Sequence, residues 1–236
     1  MKVRGRRECR DCGHQWSYYD TGAVDCPACG SLRSVGVDSR TQHTDTPTTL
    51  DLSPHRRAVD TGDLADAADD LKRDLRSYRT KRGFIRGGEL LELDETYLAA
   101  TELLYAVDVL VRAGERTDDE ELYLLSLLSG ADTGNRPDTE NVPRSMRAAR
   151  GLALVEAVDE YRREVSSWLD DNPDPQARKV FGTVSEFVKR TRALGGDVPL
   201  EESETLLAAT HDLSRALRED DETALATARD RLSRLG

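Results

Sequence analysis

Four cysteines confined to the first thirty residues in two Cys-x-x-Cys pairs, and apolar residues that recur at helical spacing from Thr61 onward, predict a fold in two parts. The first is a small β unit held by its thiols. The second is an all-α helical bundle of about seven helices. A chain of 236 residues accommodates one medium domain plus such a module. The composition shifts place the β unit at 1–37, an extended Thr-rich linker at 38–60 and an acidic α-helical domain at 61–236.

Cys9 and Cys12 form one hook and Cys26 and Cys29 the other, with thirteen residues between them. Four thiolates in two such hooks can close a tetrahedron around one ion at about 2.3 Å per bond, the arrangement of a structural zinc site. Gly13 and Gly30 each follow the second cysteine of a pair, where a positive φ lets backbone N–H groups turn toward sulfur. Pro27 stiffens the second hook. Between the hooks, "HQWSYYDTGAVD" carries Trp16, Tyr18 and Tyr19 ahead of a turn signal at Asp20-Thr21-Gly22 and reads as a β-hairpin; "LRSVGV", 32–37, adds a third strand. So small a unit cannot hold together by burial alone, so one bound ion is expected as part of its fold. A thioredoxin-type dithiol would place a single Cys-x-x-Cys on a βαβ unit, a pattern this sequence does not have.

The segment from about residue 4 to 37 resembles the zinc ribbon at the N-terminus of archaeal general transcription factor B, and the whole chain is similar to haloarchaeal proteins that carry such a ribbon. The resemblance implies a small β zinc ribbon, rubredoxin-like, with Cys9, Cys12, Cys26 and Cys29 as its four metal ligands. The remainder departs from the transcription factor, being acidic, shorter than two cyclin-like repeats and without an internal repeat. The "CPAC" hook is also similar to the rubredoxin-like module of rubrerythrins, which binds iron through four sulfurs. Rubrerythrins join that module to a di-iron bundle built on Glu-x-x-His motifs. None of His14, His43, His55 and His211 has a Glu three residues before it, so zinc is the expected ion and iron the alternative.

Residues 38–60 hold five threonines and two prolines with little apolar periodicity, and read as extended chain. A first helix then carries Leu64, Ala68, Leu71, Leu75 and Tyr78 on one face and stops near Gly83. The second starts at about Asp94, runs through Leu98, Leu103, Val107, Leu110 and Val111, and ends at Gly114. Thr117 and Glu120 predict a capping box ahead of the apolar run 122–128. Beyond a polar loop at 130–143, four more helices present Leu154 to Trp168, Phe181 to Leu194, Leu206 to Leu217, and Leu225 to Leu235. These stripes are expected to be core.

The formal charge is -11, yet Arg numbers 29 against 5 Lys, with 27 Asp and 18 Glu. Abundant carboxylate with Lys nearly absent predicts a halophilic surface that stays hydrated in concentrated salt. The longest uncharged run of the helical part spans 122–131, half of what a membrane crossing needs, and "MKVRGRRECR" has no apolar region behind its charges. A cytoplasmic protein with reduced thiols and no membrane partner is expected. No Ser/His/Asp order, nucleotide-binding loop or carboxylate pair stands out, so the chain is expected not to be an enzyme.

The functional expectation is an adaptor or transcription-associated protein that docks a protein partner through its ribbon. Residues 1–40 hold seven basic and five acidic side chains, and four thiolates on a divalent ion add a further -2, leaving the ribbon about neutral. Phosphate-driven affinity falls steeply with salt, so a protein partner, including transcription machinery, is preferred over nucleic acid. A rubredoxin-like electron carrier, and a structural ribbon on a helical domain of other activity, are the alternatives. One segment outside the ribbon, "KRDLRSYRTKRGFIR", sets seven basic residues against one acid; Arg76, Arg79, Lys81, Arg82 and Arg86 are its candidate contacts for an acidic partner or nucleic acid. The bland alternative is a helix with acids at its start, from Asp63 to Asp70, bases at its end, and an Asp69–Arg73 pair.

Overall fold

The computed structural model describes residues 1–62 and 64–235. The chain opens with β1 (Lys2–Arg4), β2 (Arg6–Cys9) and β3 (Gln15–Ser17), then a single helical turn α1 (Tyr18–Thr21), β4 (Ser34–Gly36) and β5 (Arg40–Gln42). β2 is the middle strand of an antiparallel sheet ordered β3-β2-β4, with Arg7 opposite Trp16 and Glu8 opposite Val35. β1 and β5 form a separate antiparallel pair with Val3 opposite Thr41. The strand expected at 32–37 is therefore present, but the hairpin expected between the hooks is not. Ser17 accepts a hydrogen bond from the Asp20 N–H and Gly22 ends the turn in the left-handed region, so Tyr18–Thr21 coils instead of extending.

Residues 38–60 are not an extended linker throughout. They include β5, an irregular stretch, and helix α2 (Ser53–Thr61), which starts with Pro54 in its first turn, where a missing N–H does no harm. Leu52 is fully buried just before it, and its N–H donates to Asp132. α3 (Leu64–Lys81) follows and buries the five side chains expected of it, from Leu64 to Tyr78. Asp63, part of the acidic start proposed for this helix, lies outside the described residues. Next comes a tight hairpin of β6 (Ile85–Arg86) and β7 (Glu89–Leu90), turned by Gly87 and Gly88, both with positive φ.

The remaining helices are α4 (Glu95–Ala113), α5 (Asp118–Gly130), α6 (Arg147–Trp168), α7 (Pro175–Ala193), α8 (Leu200–Glu219) and α9 (Glu222–Ser233), with three 3-10 turns in the polar loop before α6. Asp94 caps α4, Gly114 ends it, and Thr117 with Glu120 forms both halves of the capping box of α5. Nine helices stand among the described residues against about seven expected; the two additional ones are α1 and α2. None of the described helices is long and apolar enough to cross a membrane.

α6 is the central element, touching α4, α7 and α8. Its buried positions run around the helix, from Ala153 and Leu154 to Tyr161 and Val165. Phe84, fully buried, stands edge-on to Tyr97 of α4 and Tyr161 of α6, each centroid 5.0 Å away. Gly83 is required beside it, because a Cβ there would lie 2.4 Å from the Thr44 carbonyl carbon.

The core also holds a polar network. Glu102 of α4, only 1% exposed, accepts from Tyr123 Oη at 2.6 Å and from Arg150 Nη1 at 3.2 Å, and Arg150 reaches Glu204 of α8 at 2.6 Å. Burial opposes charge on Arg150, but Glu102 and Glu204 outweigh it and hold its pKa above the ordinary value. Such a network ties four helices, α4, α5, α6 and α8, in one register. Replacing Glu102 with Ala would leave Arg150 only Glu204 as a carboxylate partner and the buried Tyr123 hydroxyl without its acceptor, and we expect a loss of about 2–4 kcal/mol in urea denaturation. Glu102→Gln, which keeps an acceptor for both donors, is expected to lose less.

Candidate metal centre

Two hooks with the same hydrogen-bond pattern bring the four cysteines together. In the first, the Cys9 N–H donates to the His14 carbonyl at 2.9 Å and the Gly13 N–H to the Cys9 carbonyl at 3.0 Å. In the second, the Cys26 N–H donates to the Ser31 carbonyl at 2.9 Å and the Gly30 N–H to the Cys26 carbonyl at 2.8 Å. Each closure puts its glycine in the left-handed region, with φ of 73° at Gly13 and 71° at Gly30. A Cβ at either glycine would meet nothing within 4 Å, so the requirement is conformational, not steric.

Asp11 staples one hook to the other, accepting from the Ser31 hydroxyl and from Arg33 Nη1 at 2.8 Å. Trp16 supplies the only large ring of the local core, which consists of Trp16, Cys9 and Cys26, and its Nε1 donates to the Ala23 carbonyl at 3.1 Å. His14 is exposed and stacks on Trp16 with centroids 6.2 Å apart.

All four Sγ atoms lie within 4.8 Å of one another, with Cys9–Cys29 at 3.7 Å and Cys12–Cys26 at 3.6 Å. A tetrahedron with metal–sulfur bonds of about 2.3 Å has edges of about 3.8 Å, so the spacing fits a single ion of that class. The cysteines are free thiols, two buried (Cys9, Cys26) and two exposed (Cys12, Cys29). Among the described residues this is the one cluster of His, Cys, Asp or Glu with ligand atoms so close. The electrostatics point the same way. The Cys12 and Asp11 N–H groups aimed at the Cys9 sulfur bring its pKa down to about 7. The Ser31 N–H lowers Cys29, but the neighbouring Cys12 sulfur, burial and the other two thiols outweigh it and push Cys29 up to about 12. Four thiolates this close repel, and a cation at their centre removes that repulsion.

A family model of unknown function, DUF7117, matches residues 1–232. The chain belongs to that family. The match runs across the cysteine cluster and the helices alike, so the two parts occur together as the family's shared architecture. No curated protein and no solved structure matches the chain.

The five basic residues singled out on and after α3 each stand in a different local setting. Arg82 bridges Asp45 at 2.7 Å and Asp94 at 2.8 Å, and these carboxylates raise its pKa against the opposing effect of burial. Arg86 donates to the Tyr19 carbonyl at 2.9 Å and reaches Asp20 at 3.2 Å. Arg79 lies 5.5 Å from the centre of the Tyr97 ring. Arg76 stands 3.9 Å from Asp108, and Lys81 is exposed. The acids at the start of α3 do pair within the helix, but three residues apart: Asp69 with Lys72 and Asp70 with Arg73, not Asp69 with Arg73. Sequence reasoning did not find the Asp11 staple or the buried His43, since nothing in the local pattern marks either.

Loading a divalent ion must displace the protons of these thiols. Zinc titration is expected to release protons and to weaken progressively as the pH is lowered, measured by calorimetry in buffers of different ionisation enthalpy. Cys12→Ser is expected to lower the affinity without disturbing the helical circular dichroism.

Proposed function

We propose that residues 1–37 form a zinc ribbon, one structural zinc ion being held by Cys9, Cys12, Cys26 and Cys29, and that this ribbon docks a protein partner on behalf of the acidic helical domain 61–236. The chain is then a non-enzymatic adaptor, with transcription machinery as the partner class suggested by the likeness to the transcription factor B ribbon. The halophile-like charge of the helical part belongs to the same reading.

The observation that carries it is exposed apolar surface on a unit with almost none to spare. The local core of the cysteine unit is Trp16 and two cysteines, yet Leu32 is 78% exposed and Val24 48%. An aliphatic side chain left in water beside so small a core is better explained by an outside contact than by folding. Near-neutral charge supports a protein partner, because screening and counterion release leave phosphate contacts little affinity at high salt.

Three measurements test this. Protein purified without added metal is expected to contain one zinc per chain and no visible absorption; a red protein that bleaches reversibly on reduction would replace the adaptor with a rubredoxin-type carrier. Leu32→Asp combined with Val24→Asp is expected to abolish partner retention in high-salt affinity purification at unchanged zinc content and melting temperature. Cys9→Ser or Cys26→Ser is expected to unfold the ribbon while the helical circular dichroism persists. Loss of most of that helical signal would contradict the division into two modules.

A further inference from the structure

Residues 42–45 run along the β6–β7 hairpin, where the Thr44 N–H donates to the Ile85 carbonyl at 2.9 Å and the Gly88 N–H to the Gln42 carbonyl at 2.8 Å. Side chains alternate across such a strand. Gln42 and Thr44 point to α6, donating to Ser167 Oγ at 2.7 Å and to Glu164 Oε2 at 2.5 Å. His43 points the other way, into the cysteine unit. Its ring, 6% exposed, packs against Tyr18 with centroids 5.9 Å apart and against Tyr19 at 4.6 Å. Its Nδ1 is buried without a hydrogen-bond partner. Tyr19 is wedged in turn: a Cβ on Gly5 or Gly87 would collide with its ring, and its hydroxyl pairs with Thr41 Oγ1 at 2.5 Å.

We propose that His43 is an acid-sensitive latch, whose protonation loosens the seat of the cysteine unit on the helical body. A neutral imidazole suits a pocket of two phenol rings with one nitrogen dry; an imidazolium there carries a buried N–H with no acceptor. The charged groups around it mostly oppose a further positive charge. Arg86, from the β6–β7 hairpin, and the N-terminal amine of Met1 both disfavour protonation. Asp45 on its own strand favours it, but that carboxylate is already tied to Arg82 at 2.7 Å, while Asp20 of α1 pairs with Arg86.

Burial comes first among the causes that lower the pKa of His43 from its ordinary 6.5, and Arg86 and the N-terminus add to it against Asp45. With the docked value below the undocked one, the undocked state binds more protons between them. Docking is then fully stable above 6.5 and weakens as the pH falls below it, by up to about tenfold per unit until the docked value is reached. Glu164, on the other face of the strand, acts oppositely. Burial raises it above 4.5, so its protonation favours the docked state. The latch is independent of which ion the cysteines hold.

The test is amide hydrogen exchange on the full, zinc-loaded chain at about pH 7.5 and about pH 5.5, corrected for intrinsic rates, with zinc content measured at each pH. Amides of Tyr18–Gly22 and Thr41–Asp45 are expected to open several-fold more at the lower pH with zinc retained, and His43→Phe, which keeps a ring and cannot be charged, to remove that difference. An unchanged difference in His43→Phe, or none in the wild type, overturns the proposal. Should His43→Phe misfold, direct NMR titration of the wild-type His43 imidazole decides: titration well below the ordinary 6.5 supports the latch, and titration at or above it refutes it.

Discussion

Crowding of four sulfur atoms is the constraint on which the N-terminal unit depends. With Trp16, Cys9 and Cys26 as its only local core, the unit has little apolar area to set against the entropy of ordering about forty residues. What fixes its shape is the pair of matched hooks, their glycines at positive φ, and the Asp11 staple between them. Each of these places a sulfur; none of them neutralises one. The ion, where present, therefore supplies both the missing cohesion and the missing charge.

The helical part obeys a different economy of forces. Its apolar faces are ample, and its buried charges are matched: Arg150 with Glu102 and Glu204, and Arg82 with Asp45 and Asp94. The two parts meet along residues 42–45, which serve at once as an added strand of the β6–β7 hairpin, a tie to α6 through the Glu164 side chain, and a floor for Tyr18 and Tyr19. The Phe84 N–H shares the Glu164 carboxylate at 2.7 Å, so one side chain orders both the strand and the start of the aromatic cluster behind it.

The seven long helices were legible because their apolar spacing and much of their punctuation are local, as with Asp94 and Gly114 around α4 and Thr117 and Glu120 before α5. The hooks were legible for the same reason, each being contained within six residues. The coil at Tyr18–Thr21 escaped because a single serine cap decided it against the β preference of two tyrosines. β6 and β7 are two residues each, too short for any period to show. The basic run was harder still. Arg82 finds its partners 37 and 12 residues away in the chain, so a sequence window shows this cation without the two carboxylates that meet it. His43 was hidden by its setting in a polar connector, where nothing nearby announces that a strand will turn it inward.

The exposure of the four sulfurs is unequal, and the inequality is arranged across the hooks. Cys12 and Cys29 face solvent, one from each hook, while Cys9 and Cys26 lie inside against Trp16. A chelator or alkylating reagent therefore meets the outer sulfur of either hook first, and cannot strip one hook before touching the other. Dismantling proceeds from the rim inward, leaving an inner pair still contributed by both hooks. Any molecule seated over that rim would cover both outer sulfurs at once, and a bound ion would then outlast the one in the free chain.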